Sequence, residues 1–464
     1  MSLIFLKLKP VKLLISKTLA FISIISVLFS ANILYSQPLQ SELVHPYWSY
    51  NKTIYEVNIR QYTKSGTFKD FEKHLSELKE MGVGILWLMP INPIGEKNRK
   101  GTLGSYYSVK DYLAVNPEFG TMEDFKNLVK KIHSLGMHVI IDWVANHTSW
   151  DNNLTIEHPN FYKKDSTGNF ISPVKDWTDA IALSYNNKEL WGYMINALKF
   201  WVEKCGVDGF RCDVADMVPT PFWNKAREEL DKIKPVFMLA EAERPELQVK
   251  AFDMTYSWEV YKLMNNIAQG KENPSAFNNY FKTESERFSA DDFRMRFTTN
   301  HDENSWNGTE FERLGDAAST FAAFTFVIPG MPLIYSGQEA GLNKRLNFFD
   351  RDPIEWKRSP FRALYSKLAK LKLENKSLWN GKEGGSITLV SAPDDKSVYS
   401  FVREKSSSKI FVVFNLSGTP VERELSSAKT KGAYTNYFTG EKISFTGENS
   451  FKLKPWEYLI YVKD

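Results

Sequence analysis

The 464-residue chain is poor in cysteine, with only Cys205 and Cys212, and holds seven histidines. Two cysteines cannot build a disulfide framework, and no cluster of Cys and His has metal-ligand spacing. Cys212 sits in the strand-like run Gly209-Phe-Arg-Cys-Asp-Val-Ala and reads as a small core residue. No glycine-rich phosphate loop follows any β-rich run, which counts against an open dinucleotide-binding sheet. No Ser or Cys nucleophile motif occurs, and there is neither an internal repeat nor a low-complexity segment.

Long apolar runs are also scarce, and the one that stands out is at the amino end. Lys7, Lys9, Lys12 and Lys17 lead into an uncharged stretch over 18–29, and small residues follow to Ser36. That pattern reads as an export signal over 1–36. The run is short for a bilayer span and is interrupted by Ser23, Ser26, Ser30 and Asn32, so cleavage rather than stable membrane insertion is expected. No Cys follows it to carry a lipid. Its removal takes away four lysines and no other charge, which cancels the formal +4 of the full chain. A near-neutral mature protein gives no electrostatic reason to expect a nucleic-acid partner. A secreted or periplasmic location follows from the same signal.

What remains is a globular composition. Hydrophobic residues make up 43% and charged ones 25%, and the length suits one large domain plus a smaller one. Strand and helix patterns alternate from residue 54 onward. Expected strands cover 54–60, 84–89, 137–144, 209–215, 236–240, 252–258, 293–299 and 332–336. Helical spacing appears over 68–81, 122–135, 190–205, 314–327 and 361–373, and Gly82, Gly136 and Gly206 supply stops. Several strands are continuous apolar runs, as burial on both faces requires. Eight such strands predict an α/β fold, a (β/α)8 TIM barrel. Two connections are long, 90–121 and 147–183. Loops after barrel strands lie on the catalytic face, and the second is expected to form a small subdomain at about 148–183. The barrel is assigned to 37–381. From 382 to 464 short β-rich runs between Gly, Ser, Asn and Lys turns predict a C-terminal antiparallel β-sandwich.

Polar residues interrupt the buried strands at particular places. Asp142, Asn146 and His147 close the third in Ile141-Asp-Trp-Val-Ala-Asn-His. Arg211 and Asp213 lie in the fourth. Glu241 ends the fifth, Phe237-Met-Leu-Ala-Glu. Asn300, His301 and Asp302 end the seventh. A charge in a buried strand is costly unless paired. The carboxyl ends of barrel strands share one mouth, so Asp213, Glu241 and Asp302 are expected to converge there. Paired carboxylates without metal ligands or a Ser or Cys nucleophile suggest glycoside hydrolysis. One carboxylate must be ionised near the anomeric carbon while another stays protonated to release the leaving oxygen. A gap of about 5–5.5 Å would mean retention and about 6.5–9.5 Å inversion.

The segments Asp142-Trp-Val-Ala-Asn-His147, Gly209-Phe-Arg-Cys-Asp213, Glu241 and Asn300-His-Asp302 resemble the four signature regions of the α-amylase family, glycoside hydrolase family 13, in its order and on its strands. Gly104-Ser-Tyr-Tyr-Ser-Val-Lys-Asp-Tyr112 and Asn116-Pro-Glu-Phe-Gly-Thr121 are similar to its second-strand loop. The likeness spans roughly 45–464. It implies Asp213 as nucleophile, Glu241 as acid and then base, and Asp302 as stabiliser of the oxocarbenium-like state. It also implies Arg211 keeping Asp213 ionised, His147 and His301 on the sugar's hydroxyls, and Tyr107 stacking beneath that sugar. For Asp142 and Asn146 a structural role is expected. A low pKa is expected for Asp213 and a raised one for Glu241. The implied substrate is an α-1,4-linked glucan or malto-oligosaccharide. A high aromatic content of 14% would serve cores first and ring stacking on sugars second.

The departures matter as well. No cofactor is needed for this chemistry, but the resemblance leaves a structural calcium open. Asn146 matches one usual ligand, whereas Ala182 stands where family members often carry Asp. After Asp213 the chain continues Val-Ala-Asp-Met-Val-Pro219 and lacks the Lys-His pair of many α-amylases, which weakens the case for endo attack. A transglycosylase or isomerase, a non-catalytic sugar-binding barrel and a metal-dependent barrel enzyme are the competing readings.

Overall fold

A computed structural model describes residues 41–464; the export signal expected over 1–36 lies outside the described residues. Eight parallel strands close into a barrel. In chain order they are Ile54–Val57, Ile85–Leu88, His138–Trp143, Gly209–Cys212, Phe237–Ala240, Met254–Tyr256, Phe293–Arg296 and Met331–Tyr335. The first pairs with both the second and the eighth, with Ile54 opposite Ile85 and Leu333, which completes the ring. Among the described helices none is long and apolar enough to cross a membrane.

Alternation along each strand sorts the side chains into two cores. Ile54, Ile85, Trp87, Ile140, Phe237, Leu239, Phe293, Met295 and Leu333 pack together inside the barrel. Their neighbours Tyr55, Leu86, Val139, Ile141, Phe210, Cys212, Met238 and Ala240 belong to the layer under the helices. This parity decides the site: Glu56, Asp142, Arg211, Asp213 and Glu241 all share the register of inward-facing residues. Gly209 opens the fourth strand with φ +151°, and a Cβ there would stand 1.8 Å from the Phe237 carbonyl oxygen. Only glycine lets the fourth and fifth strands approach so closely.

Several elements differ in detail from the sequence expectation. The helix expected over 68–81 is two pieces, Phe68–Glu72 and Leu75–Met81. The first strand ends at Val57 and a helical turn, Ile59–Tyr62, follows. The helix expected over 314–327 is Glu310–Leu314 and Ala318–Val327. Helices Thr220–Asp231 and Ala276–Arg287 were not anticipated.

The long loop after the third strand folds back through a short hairpin, His147–Ser149 against Ala180–Ala182. Beyond the barrel a six-stranded antiparallel sheet, running from Ile387–Leu389 to Tyr458–Lys463 in sequence, stands beside a two-stranded one, Val421–Ser426 with Glu448–Leu453. Val402, Phe411, Val413, Leu425, Phe451 and Leu453 fill the space between them. Nine of the ten residues of helix Ala318–Val327 are buried. The helix is apolar all round because the C-terminal sheet covers its outer side: Phe324 packs on Phe414 at 5.4 Å and on Tyr399 at 6.1 Å.

Candidate active site

Arg211 is the hub at the mouth of the barrel. It points inward from the fourth strand, fully buried, with a guanidinium fixed on three acids. Its Nη1 donates to Asp142 Oδ1 at 2.9 Å and to Asp213 Oδ1 at 2.9 Å. Its Nη2 stands 2.8 Å from Glu241 Oε2, a close charge contact without hydrogen-bond alignment. The Val214 N–H donates to the same Glu241 oxygen at 2.8 Å. Val214 has φ 37°, in the left-handed region that a β-branched residue rarely enters. That turn aims its amide at Glu241 and carries a local strain of about 1–3 kcal/mol.

The segment that follows the seventh strand brings in the rest. His301 Nδ1 hydrogen-bonds Glu56 of the first strand, and its Nε2 lies 2.8 Å from Tyr107 Oη and 3.3 Å from Asp302 Oδ2. Tyr107 Oη donates to Asp142 Oδ2 at 3.1 Å, and the Trp87 indole donates to the same oxygen at 3.2 Å. A continuous path therefore runs Glu56, His301, Tyr107, Asp142, Arg211, Asp213 and Glu241. Asp302 is the most open of the three expected acids, its side chain 35% exposed.

Too many carboxylates face too few cations. Burial raises Asp213 to about 6; Arg211 opposes this, while Asp142 and Asp302 add to it. The expected low value for Asp213 is therefore not met. Its guanidinium is shared with Asp142 and Glu241, and desolvation outweighs what is left. Glu241 rises to about 7, again through burial, with Asp213 and Asp302 pushing the same way against Arg211. Asp142 rises to about 6 for the same first reason. Burial pulls His301 down, but Asp302 and Glu56 overcome it and hold the ring at about 9. The imidazolium therefore donates from both nitrogens.

His147 opens the hairpin after the third strand. It is buried beside the Trp177 ring at 5.3 Å, its Nδ1 has no partner, and burial lowers it to about 4. It is a neutral imidazole. Tyr107 is the partly buried member of its pair. Tyr106 is fully buried and takes a hydrogen bond from Asn58 at 3.1 Å. Asn146 is buried and its amide faces Met217 Sδ at 3.9 Å. The residues that a calcium would need do not fit one. Asp179 is paired with Lys100 at 3.3 Å, Ala182 brings no side-chain oxygen, and no group of three or more His, Cys, Asp or Glu among the described residues is arranged for a metal.

Sequence reasoning missed Glu56, Trp87 and Tyr256. Tyr256 Oη lies 3.4 Å from Arg211 Nε. Glu56 carried a usable signal, a lone acid within the β-rich run Ile54-Tyr-Glu-Val.

A closed parallel barrel with an acid-rich mouth at its carboxyl ends is the architecture of a barrel glycoside hydrolase. Residues 50–179 and 162–360 match the family described as alpha amylase, catalytic domain, and 387–460 match the maltogenic amylase C-terminal domain. The chain belongs to the α-amylase family and is a glycoside hydrolase of that kind. Alpha-amylase 2 of Dictyoglomus thermophilum is 27% identical over 88% of this chain and 75% of its own length. An alpha-1,4-glucan:maltose-1-phosphate maltosyltransferase of Picrophilus torridus is 28% identical over 76% of this chain and 59% of its own. The crystal structure of a noncanonic maltogenic alpha-amylase from Thermotoga neapolitana superposes with a TM-score of 0.82 at 31% identity, covering 89% of this chain and 98% of that one.

Proposed function

We propose that the protein is a retaining hydrolase of α-1,4-glucosidic bonds in starch, maltodextrins or malto-oligosaccharides. The observation that carries this reading is the single guanidinium of Arg211, which touches Asp213 and Glu241 together at 2.9 and 2.8 Å. Two carboxylates held by one planar group are close neighbours on the same side of the mouth. Asp213 attacks the anomeric carbon and forms a glycosyl ester. Glu241 first gives its proton to the leaving oxygen and then takes one from the incoming water. Arg211 is the group that draws Asp213 toward its ionised form. Asp302, bound to the imidazolium of His301, faces the positive charge that builds on the sugar ring, and Tyr107 offers a ring beneath it. His147, a neutral imidazole at the start of the hairpin, supplies a ring nitrogen for a hydroxyl. The amino-terminal pattern supports export to the periplasm or medium, where such polymers are met.

The test uses maltotriose and starch with the wild type, Asp213→Asn and Glu241→Gln. Both variants should lose about a thousandfold or more in kcat, and the first product should carry the α-anomeric configuration by NMR. A β-product would overturn retention. Full activity in Asp213→Asn would overturn the assignment of the nucleophile, whereas a wild type that binds maltotriose without any turnover would favour a binding protein. The likeness to a maltosyltransferase supports a second reading, in which the glycosyl group passes to a sugar. Chains longer than the starting oligosaccharide would select it.

A further inference from the structure

We propose that Trp306 and Phe348 form an outer sugar-stacking subsite, continuous with the acid cluster, which binds glucosyl units beyond the bond that is cleaved. This rests on the reading above and adds a chain-length preference to it.

The aromatic rings step outward without a break. Tyr107 lies over His301 at 5.4 Å with an interplanar angle of 18°, and Phe348 lies beside Tyr107 at 6.1 Å and 15°. Trp306 follows at 5.4 Å from Phe348, and Phe349 flanks it at 5.8 Å. Tyr107 belongs to the loop after the second strand, Trp306 to that after the seventh, and Phe348 to that after the eighth. All three loops rise from the carboxyl ends of the barrel. Trp306 is 52% exposed although it is one of the largest apolar side chains. An exposed apolar surface that continues an enclosed polar site has the character of a ligand platform.

The platform is also held in place. Trp306 lies in a π-helical turn, Glu303–Asn307, that begins directly after Asp302; such turns are rare and gather at functional sites. Asn304 Nδ2 donates to the Lys344 carbonyl at 3.0 Å, and its Oδ1 accepts from the Leu346 N–H at 2.9 Å. Ser305 Oγ donates to the Leu346 carbonyl at 3.1 Å. Inside the turn Asn307 Nδ2 donates to Glu303 Oε2 at 3.1 Å, and Tyr261 donates to the same carboxylate. The two loops are thus stitched together under an exposed indole. Little ordering cost remains when a ligand arrives. A pyranose ring has one face rich in C–H groups, and a flat indole matches that face while the hydroxyls stay in water.

The experiment compares wild type, Trp306→Ala and Trp306→Phe on maltotriose and maltoheptaose. Trp306→Ala should raise KM for maltoheptaose about tenfold with kcat nearly unchanged, and move maltotriose by about twofold or less. Trp306→Phe should recover most of the loss, because it keeps a flat ring. An equal loss on both substrates, or none on either, would overturn the subsite while leaving the functional reading intact. A wild type inactive on every α-1,4-linked chain would overturn both. Thermal melting of the variants at the wild-type temperature excludes misfolding as the cause.

Discussion

Arg211 lies in the fourth strand and Asp213 directly after it, two residues on, and their side chains meet at 2.9 Å at the mouth of the barrel. The even spacing puts both on the inward face, so the geometry is written into the backbone. The proposed chemistry needs Asp213 ionised and Glu241 protonated. With the first near 6 and the second near 7, kcat/KM should rise as pH climbs through about 6 and fall as it passes about 7. The bell is narrow because one cation serves three acids, and its limbs belong to the cluster as a whole. Arg211→Lys removes the fork that touches several carboxylates at once. Asp213 then loses part of its stabilising charge, the acidic limb moves to higher pH, and the maximum drops by about a hundredfold. A pH–rate profile checks both; an acidic limb that stays in place in the variant would refute the role given to Arg211.

Glu56 and His301 couple the first strand to the segment after the seventh. His301 is held at about 9 against a usual 6.5. A histidine with a raised folded-state value stabilises the protein fully below about 6.5, and that contribution is lost as pH rises through about 9. For a fully buried ring it amounts to at most about 3 kcal/mol. In Glu56→Gln the ring keeps an acceptor and the charge of Asp302 but loses one of its two anions, so the raised value falls toward the usual range. The variant should be less stable near pH 6, and its loss between about pH 6 and pH 9 should be smaller than the wild type's. Urea unfolding at both ends of that range measures this. Equal losses in the two proteins would show that Glu56 does not set the charge of His301.

The barrel was legible because its strands are short apolar runs at regular intervals, and the acids were legible because each interrupts such a run at its carboxyl end. What escaped had identifiable reasons. Helix Thr220–Asp231 begins with Pro219-Thr-Pro221, which reads as a turn, although proline is well tolerated in a first helical turn. Helix Ala276–Arg287 buries only Phe277 and Tyr280, too few to show a period. Glu56 was visible as a residue but not as a partner, since His301 lies 245 positions away. The state of Asp213 depends on how many acids share Arg211, and only the folded barrel sets that number. Trp306 and Phe348 sit on loops, where no periodicity marks their convergence.

Lys100 and Asp179 join the loop after the second strand to the hairpin after the third. The Lys100 ammonium is 3.3 Å from Asp179 Oδ1 and 2.6 Å from the Asp176 carbonyl oxygen. A divalent cation could tie the same two loops together, but here a lysine already meets the acid and Asn146 faces a thioether. Strong chelators should therefore leave both activity and melting temperature unchanged. Lys100→Met leaves Asp179, 6% exposed, without its cation. The lysine itself is about one-third exposed, so solvent screens the pair and the loss should be about 1 kcal/mol rather than the larger cost of breaking a fully buried pair. That corresponds to a fall of about 1–3 °C in Tm. Differential scanning calorimetry with and without chelator separates the cases. A wild type that melts several degrees lower in chelator would mean that a metal, and not Lys100, holds these loops. If added calcium restored Lys100→Met, the acid and the carbonyl would be shown to form a cation site that the lysine normally fills.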